Sequence, residues 1–140
     1  VNWVVYSLFQ HNQRPDFTNN GDKLHIGLFH GPIQGTSTDM GFAFEDGYSV
    51  NEFEGCDIVL AGDIHKRQII DIPNGKKAYM VGSLIQQNFG ETIKNHGFGV
   101  YDIKNNKYSF EDIENSSPYV NFKIEDIIDI ENAKEKITNN

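Results

Sequence analysis

The chain has 140 residues, 38% of them hydrophobic and 12% aromatic, which is enough to bury a core without disulfides or a structural metal and rules out a disordered polypeptide. No apolar run approaches the roughly 20 residues that cross a bilayer, and the amino terminus lacks the basic-then-apolar order of a signal peptide, so the expectation is a soluble, cytoplasmic protein with no membrane partner. The net charge of −8 argues against a broad basic surface that tracks nucleic acid; the acid is concentrated, however, with eight acids against three lysines in residues 111–136, which leaves room for a polyanionic substrate at a localised metal site.

Residues 1–8 open the chain with β-branched and aromatic side chains and predict a strand, followed by a polar stretch with turn residues Asn19-Asn20-Gly21. A second strand is expected over residues 24–29, ending where Gly31 and Pro32 break the ladder. Residues 32–47 lack apolar periodicity and predict a loop, with a short helical turn over 48–53. A central strand is expected over residues 57–61, where the apolar run Ile58-Val59-Leu60-Ala61 follows Asp57 between Gly55 and Gly62, the pattern of a strand buried on both faces between helices. The single cysteine, Cys56, precedes that run; it has no partner for an internal disulfide and fits a small buried hydrophobe.

Shorter strands are predicted over 68–72, 77–81, 97–103 and 107–112, with Pro73-Asn74-Gly75 and Lys104-Asn105-Asn106 as turns and the last two strands forming a hairpin. Residues 124–137, with acids early and lysines late, match a helix dipole. His25 falls inside a strand and reads as a satisfied core residue, and His11 as a solvated one.

Two strand ends share a chemistry. The strand over 24–29 delivers His30 just past its carboxyl end, and the strand over 57–61 delivers Asp63 and His65 in the same way. Ligands bind outside the carboxyl ends of strands in α/β sheets, so these side chains converge if the two strands are neighbours. Imidazole nitrogen with carboxylate oxygen suits manganese, zinc or iron better than soft thiophilic ions. Gly62 is placed to let the chain turn at the strand end, and Gly31 to let backbone approach a phosphate.

The segments Leu28-Phe29-His30-Gly31-Pro32-Ile33, Asp57-Ile58-Val59-Leu60-Ala61-Gly62-Asp63-Ile64-His65-Lys66 and Gly82-Ser83-Leu84-Ile85-Gln86-Gln87-Asn88-Phe89-Gly90-Glu91 resemble the last two metal motifs and following loop of calcineurin-like metallophosphoesterases. The similarity runs over residues 24–103 and is nearest to the nuclease subunit of the SbcCD-type DNA repair exonuclease complex and its phage counterparts.

The resemblance implies an α/β fold, a metallophosphoesterase-type β-sandwich flanked by helices. Residues 1–115 would form its carboxyl-terminal half, and 116–140 an acidic helical extension. It implies two divalent ions, manganese first and magnesium, iron or zinc as alternatives. His30 and Asp63 would hold one ion and His65 the other, although the family more often has histidine where Asp63 stands. It further implies phosphodiester hydrolysis on DNA and an ATPase partner of the SbcC type. From the residues themselves, Lys66, Arg67, Ser83 and His96 are candidate contacts to substrate, beside the plainer readings of solvated cations, a turn residue and a surface histidine. The family's earlier motifs, an Asp-x-His, a Gly-Asp and a Gly-Asn-His, have no match here. The amino-terminal half of the domain is therefore an expected partner, and no catalytic residue is assigned in this half. Alternatives are a small-molecule phosphatase or phosphodiesterase, and a non-catalytic scaffold that has lost its metals.

Overall fold

The structure, a computed structural model, describes residues 1–9, 15, 17, 21–121 and 127–138. Its strands are β1 (Asn2–Tyr6), β2 (His25–His30), β3 (Ile58–Gly62), β4 (Gln68–Ile72), β5 (Lys76–Met80), β6 (Gly97–Asp102) and β7 (Lys107–Asp112), and its α-helix is α1 (Ile127–Thr138). Five strands form one sheet in the order β1-β2-β3-β5-β4. Strands β1, β2, β3 and β5 run parallel, and β4 returns antiparallel beside β5. Strands β6 and β7 form a separate antiparallel ribbon.

Alternation along each strand sorts side chains between the two sheet faces. Val4, Tyr6, Phe29, Val59, Ala61, Ala78 and Met80 share a buried cluster with Ile33, Tyr48 and Phe53 from the connection between β2 and β3. Phe53 lies at its centre, with ring centroids 5.0 Å from Tyr6, 5.5 Å from Phe29 and 5.4 Å from Tyr48. Tyr79 faces the other way and stacks on Tyr108 of β7 at 3.9 Å, which lays the ribbon against the second face. Cys56 is buried, its thiol 3.1 Å from the Tyr6 hydroxyl. His25 is also buried, with Nδ1 3.2 Å from the Asn2 side-chain nitrogen.

The helix-flanked α/β sandwich expected from the resemblance is not what forms. Among the described residues α1 is the single α-helix, and none lies between the parallel strands. The reason is in the connections. Residues 31–57 are interrupted by Gly31, Pro32, Gly35, Gly41, Gly47 and Gly55 and by Thr36-Ser37-Thr38, residues whose backbone freedom or competing side-chain hydrogen bonds favour turns over helix. Only a 3-10 turn, Val50–Phe53, survives there, with the Ser49 hydroxyl accepting from the Asn51 N–H. The route from β3 to β5 passes through β4 instead of a helix. The β4–β5 turn at Pro73–Gly75 places Asn74 and Gly75 at φ of 61° and 69°, a left-handed conformation that Asn and Gly adopt at low cost.

The helix expected over 124–137 is found as Ile127–Thr138; residues 122–126 lie outside the described residues, as do His11 and Asn19-Asn20. Among the described residues no helix is long and apolar enough to cross a membrane.

Candidate functional site

Strands β2 and β3 are parallel neighbours, and their register sets His30 directly opposite Gly62. The Gly31 N–H donates to the Gly62 carbonyl at 3.1 Å and locks the two strand ends together. The His30 imidazole lies across Gly62, with Cδ2 and Nε2 at 3.3 and 3.8 Å from the place a Cβ would occupy. One residue later Asp63 turns the chain, and two beyond that stands His65. His30, Asp63, His65, Ser83 and Gln87 line one crevice of about 400 Å³ at the carboxyl edge of the sheet.

The turn is made differently from the sequence expectation. The positive φ falls on Asp63, at 103°, and not on Gly62. A non-glycine residue in that region is strained by about 1–3 kcal/mol and is tolerated where its side chain is needed. Asp63→Gly is therefore expected to raise stability by about 1 kcal/mol in chemical denaturation; a loss of stability on that change would show that the carboxylate supports the fold. Gly31 has a packing role, since a Cβ there would stand 2.0 Å from Leu8 Cδ1 and 2.9 Å from Phe29 Cζ.

His65 is exposed at its tip, and its Nδ1 lies 2.8 Å from Glu91 Oε1. Glu91 is the residue that sequence reasoning missed. Its carboxylate, only 8% exposed, accepts from the Gln87 N–H at 2.8 Å, the Asn88 amide at 2.7 Å and the Ser83 hydroxyl at 3.4 Å. Burial pushes the Glu91 carboxyl up, but the Gln87 N–H and His65 outweigh it and hold it below the usual range. An ionised carboxylate only accepts, so His65 donates through Nδ1–H, and a neutral ring in that tautomer carries its lone pair on Nε2. That is the state in which an imidazole ligates a metal, and a carboxylate on the far nitrogen is the usual way to hold it.

Loop 82–91 is held by backbone. Gly82, at φ 80°, passes so close to the β3–β4 connection that a Cβ would stand 2.8 Å from the His65 carbonyl, and the Ser83 N–H donates to that carbonyl at 3.0 Å. Gln86, buried, ties the loop down by donating to the Glu91 and Tyr119 carbonyls at 3.0 and 3.1 Å while accepting from the Tyr119 N–H at 2.8 Å. Buried His96 donates from Nε2 to the Thr92 carbonyl at 2.6 Å, leaving Nδ1 2.9 Å from the Ser83 hydroxyl. His96 therefore reaches the crevice through Ser83.

The two cations expected to meet substrate are engaged elsewhere. Lys66 donates to the Ser37 hydroxyl at 3.1 Å, and Arg67 Nη1 to Asp112 at 2.6 Å. Both border a second cavity, of about 200 Å³, that His65 and His96 also line.

His30, Asp63 and His65 offer two imidazoles and a carboxylate, a donor set suited to hard or borderline divalent ions. Among the described residues, no three His, Cys, Asp or Glu side chains are already gathered closely enough to hold an ion. The three therefore share a crevice without a closed coordination shell.

No family model matches the sequence, and no solved structure matches it. The chain is similar to an uncharacterized protein of Acanthamoeba polyphaga mimivirus, 34% identical over 106 residues. That stretch is 75% of this chain and spans 8% of the viral protein's length.

Proposed function

We propose that the chain supplies part of a two-metal phosphodiesterase site, with His30 and Asp63 directed to one ion and His65 to the other. The observation that carries this is the register of β2 and β3, which brings an imidazole, a carboxylate and a second imidazole to one crevice beyond the strands' carboxyl ends. The strain accepted at Asp63 and the ionised Glu91 behind His65 point the same way. Divalent ions in the crevice, manganese foremost, would polarise phosphoryl oxygens and lower the pKa of water. Three ligands are too few for two ions, so the proposal requires donors beyond these three. Among the described residues β1 is paired on one side only, with Trp3 and Val5 exposed, an edge on which more sheet can add. DNA as substrate and an SbcC-type ATPase as partner belong to this proposal and rest on the sequence resemblance.

The test is manganese binding and hydrolysis of a chromogenic phosphodiester by the intact gene product, beside His30→Ala and His65→Ala. Each variant is expected to lose at least tenfold in metal affinity and most of the activity. Unchanged affinity and turnover in both would sink the assignment. A parent protein that neither binds manganese nor turns over the diester would favour instead a non-catalytic scaffold, the reading supported by the open arrangement of the three side chains. If the site holds, the salt dependence of binding to short DNA separates a polymer substrate from a small phosphoester, because contacts to many phosphates weaken steeply with salt.

A further inference from the structure

The cavity beside the crevice has a chemistry of its own. Arg67 is clamped on one side only: Nη1 donates to Asp112, and the guanidinium carbon lies 4.5 Å from the centre of the Phe110 ring. Its other edge, Nε and Nη2, is buried and has no hydrogen-bond partner among the described residues. Leaving charged donors buried and unsatisfied is costly, and a native structure keeps such an arrangement where something else completes it. The Nε–Nη2 edge is a planar fork whose spacing matches two oxygens of one phosphoryl group.

Arg67 borders the cavity of about 200 Å³ together with Lys66, Asn95 and His96. At ~30 Å³ per water this is room for a small polyatomic anion. One carboxylate, Asp39, lies on the wall, and its Oδ2 accepts from the Thr92 N–H at 3.1 Å. We propose that this cavity is an oxyanion subsite: a rotation of the Arg67 side chain that brings its free edge out of burial lets that edge grip a phosphoryl group adjacent to the His65 crevice. The subsite needs no metal, so it stands or falls separately from the proposed phosphodiesterase site.

The experiment is a titration of the intact protein in chelator with inorganic phosphate, at constant ionic strength in chloride, following the Arg67 Nε–H resonance. A saturable shift is expected. Asn95→Asp, which puts a negative charge at the rim and keeps a residue that tolerates the positive φ of 69° at that position, is expected to weaken phosphate at least tenfold. Arg67→Lys, which lacks that reporter and is followed instead through the backbone amide resonances of Asn95 and His96 on the same cavity, should abolish saturation; should that variant fail to fold, Asn95→Asp still decides. A shift that never saturates, or an affinity equal in Asn95→Asp and the parent, overturns the proposal. A dinucleotide phosphodiester that competes with phosphate assigns the subsite to a polymer backbone, and competition by phosphomonoesters alone assigns it to a terminal phosphate; either supports the oxyanion subsite.

Discussion

Glu91→Gln is expected to weaken manganese binding by about 10–100-fold, although residue 91 is not itself proposed as a ligand. In the native loop every group facing the carboxylate is a donor: the Gln87 N–H, the Asn88 amide, the Ser83 hydroxyl and His65 Nδ1. A glutamine has one oxygen and one NH2 group there, so one side of it must point a donor at a donor. The imidazole of His65 then loses the partner that keeps its proton on Nδ1, and the tautomer with the proton on Nε2, which cannot ligate through that nitrogen, becomes populated. Nitrogen chemical shifts of His65 in metal-free protein report this directly: Nδ1–H in the parent and a mixture in the variant. Unchanged shifts together with unchanged manganese affinity would show that Glu91 merely closes its own loop.

Phe53→Ala is expected to destabilise the fold by about 3–5 kcal/mol, the usual range for truncating a fully buried phenylalanine. Phe53 is 0% exposed and makes ring contacts with Tyr6 of β1, Phe29 of β2 and Tyr48 of the long connection. Its removal leaves a cavity where all three meet, beneath the connection that covers that face of the sheet. At roughly 3–4 °C per kcal/mol for a chain of this size, the melting temperature should fall by roughly 10–20 °C. A loss below about 1 kcal/mol in urea denaturation would mean that the connection folds independently of the sheet. Phe29 is followed directly by His30, so the same variant should also loosen the crevice.

The strands were readable from the sequence because each is a short apolar or alternating run bounded by glycine, proline or asparagine. The expected segments 68–72 and 107–112 coincide with β4 and β7, and the others lie within two residues of the observed bounds. The expectation of flanking helices came from the apolar central strand and from family likeness, and the glycine-rich connection 31–57 overrides it locally. At the site, His30, Asp63 and His65 could be named because each stands at or just beyond a strand end, a position visible in one dimension. Glu91 could not: 26 residues separate it from His65, and only the fold of loop 82–91 carries it there. Arg67 stands next to Lys66 in the chain, but its one-sided clamp depends on Asp112 and Phe110 of β7, more than forty residues away.

By itself, then, the sequence determined where the backbone extends and turns, since those choices are made by neighbouring side chains and by residues such as glycine and proline that set φ locally. It also determined the donor chemistry at two strand ends. Strand order, the pairing of β2 with β3, the bend at Asp63 rather than Gly62, and the carboxylate behind His65 were decided only by tertiary structure. Each depends on groups far apart in the chain, whose contact reflects packing of the whole sheet and not any local preference.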